Sequence, residues 1–279
     1  HTLRLRDERN QLVFKSKKRP TAIVIDPDAD ALFSLDWSPG TDLLTKALRE
    51  APTVAGRLQA AEALGRSGRR KAVEALADAY GDEPFWGVRT EISRALGRAG
   101  TVRAGTALAA LLSTEFDPRA MAGLADACGR YRLPALAGAL RSWLEVPRPY
   151  LATAAALRSL ASQGDDADFE RLEEAAGDRG WWHLVRQGAL QALALCRSER
   201  ALPTLLAHLD VEAAPMQVRA TAAGVVGECA RWLSEPSQLR AGDALRDLSQ
   251  DPSYRVRRSA VRGLGAVSTA AAPAAIELF

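Results

Sequence analysis

The chain has 279 residues, 47% of them hydrophobic and 25% charged, enough apolar content for one large domain or two smaller ones. Its 37 basic and 34 acidic residues are spread along the sequence and leave a net charge of +3, which argues against a dedicated phosphate-binding surface. Three cysteines (Cys128, Cys196, Cys229) do not make a disulfide scaffold, no apolar run reaches the ~18–20 residues of a membrane helix, and no signal peptide opens the chain. A cytoplasmic location is therefore expected. The sequence begins at His1 rather than Met, which reads as a truncated or processed chain. Lysine stands at only five positions against 32 arginines, a skew expected of a high-GC bacterial genome.

The first forty residues differ from the rest. Leu3 and Leu5 alternate with arginines, Leu12 and Phe14 alternate with polar residues, and Thr21-Ala-Ile-Val-Ile is a β-branched run ended by the turn signal Asp26-Pro-Asp. A fourth apolar stretch runs over 31–37. Period-two alternation between turn residues predicts short strands. Four such strands cannot bury a sheet face alone, so residues 1–40 read as the last strands of a β-sandwich whose earlier part is missing. The basic run Lys15, Lys17, Lys18 and Arg19 reads as a solvated loop.

From Thr41 the pattern turns helical, alanine-rich and repetitive. Related dipeptides recur at Leu64-Gly65, Leu96-Gly97, Cys128-Gly129, Leu160-Ala161, Leu193-Ala194, Val226-Gly227 and Leu264-Gly265, at intervals of 32, 32, 32, 33, 33 and 38 residues. Eight residues before the dipeptide stands a valine followed by arginine: Val88-Arg89, Val185-Arg186, Val218-Arg219 and Val256-Arg257. The first unit has Gly56-Arg57 there, and the third and fourth have Ala120-Met121 and Ala152-Thr153. Asp117-Pro118 and Asp251-Pro252 mark a turn ahead of this helix, with Asp as a cap and Pro at the first helical position. The unit is helix A, tight turn, helix B, loop, and it resembles a HEAT repeat. The expected architecture is mainly α: a HEAT-like α-α superhelix of about seven helix pairs over 41–279, preceded by the β-sandwich remnant. An insertion around 232–236 accounts for the long last interval, and 271–279 reads as the opening helix of an eighth unit.

The chemistry on offer is sparse. His183 is followed by Leu-Val-Arg-Gln, so H-E-x-x-H cannot form there, and His183 and His208 have no recognisable third ligand. No catalytic, metal-binding or cofactor-binding residue is expected. The cysteines read as buried core thiols. Two readings of the repeat arginines Arg57, Arg89, Arg186, Arg219 and Arg257 stand open. They form either an anion-binding ladder or a set of structural contacts to an acidic residue of the preceding turn, such as Asp82, Asp178 or Asp251. Repetition at a fold-defining position favours the structural reading. Phe85-Trp86 and Trp181-Trp182-His183, with Tyr150 and Tyr254 at comparable places, are packing anchors or an interaction surface in the A–B turns.

The junction of a strand region with helical repeats suggests a second resemblance. Arg19-Pro-Thr-Ala-Ile-Val-Ile-Asp-Pro-Asp, then Arg57-Leu-Gln-Ala-Ala-Glu-Ala-Leu-Gly, then Glu83-Pro-Phe-Trp-Gly-Val-Arg together look like the C-terminal part of the aminopeptidase N family of zinc metallopeptidases. The resemblance implies a non-catalytic cap over the active-site cleft of a zinc enzyme. It would limit peptide access, with the catalytic portion of that parent as partner and peptide substrates met only indirectly. Zinc would belong to the parent alone. The alternative expectation is a free-standing HEAT-repeat adaptor that binds protein partners on its concave face. Neither nucleic acid nor membrane is expected as a partner.

Overall fold

In the computed structural model the described residues are 37–267 together with Lys17, Pro20, 23–28, Asp30 and Ala31. Among them are fourteen α-helices, in seven antiparallel pairs. They are α1 (Thr41–Glu50), α2 (Val54–Ser67), α3 (Arg70–Asp82), α4 (Trp86–Arg98), α5 (Val102–Leu112), α6 (Pro118–Cys128) and α7 (Pro134–Leu144). There follow α8 (Tyr150–Ala161), α9 (Phe169–Ala176), α10 (Leu184–Leu195), α11 (Ala201–Ala207), α12 (Met216–Ala230), α13 (Glu235–Leu248) and α14 (Tyr254–Ala266). Short 3-10 turns at Asp166–Asp168 and Trp181–His183 lead into α9 and α10.

Local chemistry sets the helix ends. The hydroxyls of Thr53 and Thr101 accept from Gly56 N and Ala104 N at the starts of α2 and α5. Asp117 caps α6 through Arg119 N, with Pro118 at the first helical position. The matching Asp251-Pro252 works differently. α14 starts only at Tyr254, and Asp251 Oδ1 instead accepts from Ser253 N at 2.7 Å while its carboxylate faces the preceding repeat. The long last interval is absorbed by α12 and α13, of 15 and 14 residues, with Glu235 and Pro236 inside α13.

Even-numbered helices pack on one another along the whole stack, and the odd-numbered row is looser, so the even row forms the inner side of the curve. Small residues permit that approach. A Cβ on Gly227 would lie 2.1 Å from Gly263 O, and one on Gly65 would lie 2.7 Å from Ala95 Cα. The resulting core falls into two clusters that meet on α8, one ending at Leu160 and the other starting at Leu157. None of the described helices is long and apolar enough to cross a membrane.

The β-sandwich remnant is not supported. Most of 1–40, including the strands expected over 3–5 and 11–15 and most of 31–37, lies outside the described residues, as does the helix expected over 271–279. Residues 23–28, which hold the last three residues of the β-branched run, form no strand, and Thr21 and Ala22 lie outside the described residues. Gln59 Nε2 donates to Ile25 O at 2.6 Å, Ile25 N donates back to Gln59 Oε1 at 3.3 Å, and Val24 sits where a Cβ on Gly56 would be. The backbone groups that a sheet would have used are met by a side chain of α2, which overrides the strand propensity of this segment.

Candidate functional site

The repeat arginines lie near the starts of α2, α4, α10, α12 and α14, where helical side chains lean back toward the A–B turn. In three of them the guanidinium bridges two turns in the same way. Its Nη1 donates to a carbonyl of its own turn: Arg57 to Ala51 O at 3.1 Å, Arg89 to Glu83 O at 2.8 Å and Arg219 to Ala214 O at 2.8 Å. Its Nε and Nη2 form a two-toothed contact with a carboxylate of the following turn. Arg57 meets Glu83 at 2.8 and 3.2 Å, Arg89 meets Glu115 at 2.9 and 3.4 Å, and Arg219 meets Asp251 at 3.0 and 3.2 Å. Arg257 donates to Asp251 O and Pro252 O.

The carboxylate thus comes from the turn after the arginine, where the preceding turn was expected to supply it. Asp178 is occupied by Gly180 N at 2.8 Å, and Asp82 is exposed beside the buried Glu83. The planar fork explains the arrangement: one tooth serves the local carbonyl while the opposite edge points across the stack. Each acid also holds its own turn, Glu115 accepting from Phe116 N and Asp117 N and Glu83 from Phe85 N. Tyr80 OH donates to Glu115 at 2.6 Å, and burial followed by that hydrogen bond raises the phenol well above its ordinary range.

The aromatic turns separate into two kinds. Phe85 and Trp86 lie 5.4 Å apart, and Arg119 of the next repeat covers the half-buried Trp86 ring at 4.7 Å, while Phe85 is exposed. Trp181 and Trp182 are each 63% exposed and meet edge to face at 6.0 Å. Trp182 and His183 both take left-handed backbone angles (φ 51° and 54°), uncommon for such bulky residues, and His183 Nδ1 is buried without a partner. The two aromatic pairs stand three repeats apart and do not form one surface. Tyr150 and Tyr254 are exposed, the latter beneath Arg257 at 5.9 Å.

Other candidates are structural in their surroundings. Both ring nitrogens of His208 face backbone carbonyls, Thr204 O at 2.7 Å and Ala176 O at 3.1 Å, which ties α11 to α9. No group of three metal-ligating side chains occurs among the described residues. The three thiols are free, and burial pushes Cys128 up to about 12 and Cys196 and Cys229 up to about 11.

A feature that repeat counting missed lies on the inner row. A groove of about 930 Å³ runs over α8, α10, α12 and α14, lined by Arg158, Arg197, Arg231 and Arg262 with Trp232 and the single carboxylate of Glu228. The Arg197 and Arg231 guanidinium groups stand 4.0 and 5.1 Å from the Trp232 ring. Arg158 reaches Asp126 at 3.4 Å, whereas among the described residues Arg197, Arg231 and Arg262 form no ion pair.

Fold and site together define a HEAT-like repeat solenoid with a basic inner groove toward its C-terminal end. The family model for HEAT repeats matches residues 41–129. The solved complex of CpcE and CpcF of phycocyanin lyase from Nostoc sp. PCC7120 is similar in fold, with 18% identity and a TM-score of 0.54 over 86% of this chain and 98% of that one. Human deoxyhypusine hydroxylase in complex with glycerol aligns at 19% identity with a TM-score of 0.42, over 81% of this chain and 95% of that one. No curated protein matches by sequence.

These findings overturn the resemblance to aminopeptidase N, and with it the zinc-dependent parent. The residues that suggested it are repeat chemistry: Glu83 and Arg89 in Glu83-Pro-Phe-Trp-Gly-Val-Arg are the acid of one rung and the arginine of the next, and Arg57 holds Glu83. Any stack built this way would carry them.

Proposed function

We propose that this chain is a HEAT-like adaptor that holds a protein partner by an acidic segment laid along the inner groove of α8, α10, α12 and α14. The observation that carries the reading is the groove's unbalanced charge: among the described residues Arg197, Arg231 and Arg262 stand around Trp232 without an ion pair, against the single carboxylate of Glu228. The arginines of the N-terminal inner row are paired instead: Arg94 and Arg98 with Glu91, and Arg66 with Glu62. An arginine fork suits a partner's carboxylate, and exposed Leu195 and Trp232 supply apolar contact beside it. The groove reaches across four helices, the length over which an extended peptide makes several such contacts.

Fluorescence anisotropy with a labelled, Asp/Glu-rich 12-residue peptide tests the reading. The acidic peptide should bind, with affinity that falls as salt rises, and its Asn/Gln counterpart should not. Equal binding of the neutral peptide, or tighter binding of a single-stranded oligonucleotide of equal charge, would overturn it.

A further inference from the structure

Among the described residues Arg186 has no acid, although a following turn lies beside it. In the closed rungs the carboxylate stands six residues before the arginine position of the next repeat: Glu83 before Arg89, Glu115 before Met121, and Asp251 before Arg257. For Arg186 that position is Ala213, six before Arg219. The edge that elsewhere grips a carboxylate is therefore unfilled. Arg186 Nε is buried with no hydrogen-bond partner, and Nη2 has only Ala213 O at 3.4 Å. The side chain is nevertheless deeply placed, the residue being 9% exposed.

The nearby charges do not repair this. Burial, and after it the Arg179 charge, both disfavour the charged form of Arg186. Asp178 is turned to Gly180 N, Asp210 accepts from Glu212 N at 2.8 Å, and Asp210 and Glu212 are both exposed. This turn also runs differently from the closed rungs: Ala213 is exposed, and it is the buried Ala214 whose O accepts from Arg219, as Glu83 O accepts from Arg89 and Asp251 O from Arg257. The exposed Trp181–Trp182 pair lies in the turn that leads into the helix carrying Arg186.

We propose that the Nε/Nη2 edge of Arg186 is a binding site for a carboxylate supplied from outside the chain, which completes the rung in trans. The ligand is a carboxylate group, because the closed rungs show this edge matched to two oxygens 2.8–3.4 Å away. The site lies at the A–B turns and is separate from the inner groove.

Thermal unfolding of the whole chain, titrated with sodium acetate against sodium chloride at equal ionic strength, tests it. The melting temperature should rise saturably with acetate and not with chloride. Ala213→Glu should melt about 2–4 °C higher than the parent in chloride, through a rung closed in cis, and should lose the acetate response. Ala213→Gln, equal in size but neutral, should keep the response, and Arg186→Met should lose it. Arg231→Glu/Arg262→Glu, in the groove, should keep it, so failure of the groove reading leaves this result distinct. An acetate response shared by Ala213→Glu and Arg186→Met would overturn the proposal. So would a sulfate response equal to that of acetate, or no acetate response in the parent.

Discussion

The first three repeats and the last four use the same helix-pair unit but dispose of their charges differently. From α1 to α6 the ladder is closed by Arg57–Glu83 and Arg89–Glu115, and the inner-row arginines Arg94 and Arg98 are held by Glu91. Beyond α6 the pattern loosens. Thr153 replaces the rung arginine, Gly180 stands at the register of the acid, and a cavity of about 400 Å³ lies beside Thr153 and Asp178. Arg186 has lost its acid, and Arg197, Arg231 and Arg262 line an open groove. The HEAT-repeat match covers 41–129, the part with two consecutive closed rungs, although Met121 stands at its third arginine position. Where charge is consumed in closing rungs the solenoid is regular; where it is left over, it lies along the inner groove and at the turn beside Arg186.

That contrast can be broken most forcefully at the closed rung of the C-terminal half. The side chains of Arg219 and Asp251 are 6% and 3% exposed, and Asp251→Ala would leave a buried cation alone. A loss of about 3–5 kcal/mol is expected in urea unfolding, whereas the double change Arg219→Met/Asp251→Leu should cost far less. Single and double variants of equal stability would show that the rung does not hold the repeats together.

Gly227→Ala comes next, because its Cβ would meet the Gly263 backbone and force α12 and α14 apart. A loss of about 1–3 kcal/mol is expected, without the relief that a flexible neighbour could give. The same change at Gly224, also in α12 but with nothing within 4 Å of its Cβ, should be neutral or stabilising.

Asp117→Ala removes the cap of α6 and should cost about 1 kcal/mol at neutral pH. The Arg119 side chain first, and then the capped backbone N–H groups, hold this carboxyl down at about 2. Its contribution is therefore fully present above the ordinary carboxylate range near pH 4 and is lost as pH falls toward 2. Parent and variant should converge in stability below that window.

The smallest effect concerns the thiols. Cys196 is half-buried and Cys128 and Cys229 are buried, so a thiol reagent at pH 8 should label Cys196 first and the others only on unfolding. Raised thiol pKa values stabilise the folded state below about pH 9, and that contribution should fade as pH rises through 11 to 12. Labelling of Cys128 at the rate of Cys196 would mean that the first core cluster opens readily.

Much of this was legible in the sequence. The 32- and 33-residue intervals located α2 to α12 of the even row, the 38-residue interval located α14, and the arginines carried the register of the stack. The acids were misplaced because Asp82 and Asp178 lie close in sequence, whereas the fork reaches 26 to 32 residues onward to Glu83, Glu115 and Asp251. A signal was present in the fixed six-residue offset to the next arginine position, and Ala213 breaks it visibly. The strand expected over 21–25 is not formed at 23–25, the part described, because Gln59, on α2, satisfies the backbone of Ile25, a long-range contact no local pattern reveals. The groove was hidden for a different reason. Its arginines come from α8, α14 and the loops that follow α10 and α12, and a chain charge of +3 averages their concentration away.

The central claim, that the partner-binding charge resides in the C-terminal inner groove, is tested most directly by paired charge reversal. The anisotropy titration with the acidic peptide should be run on Arg231→Glu/Arg262→Glu and on Arg94→Glu/Arg98→Glu. All four positions are exposed on or beside inner-row helices, and each double variant changes net charge equally. The C-terminal pair should lose binding by about tenfold or more, some 1.4 kcal/mol, and the N-terminal pair should remain close to the parent. Equal losses in the two variants, or a loss confined to the N-terminal pair, would contradict it.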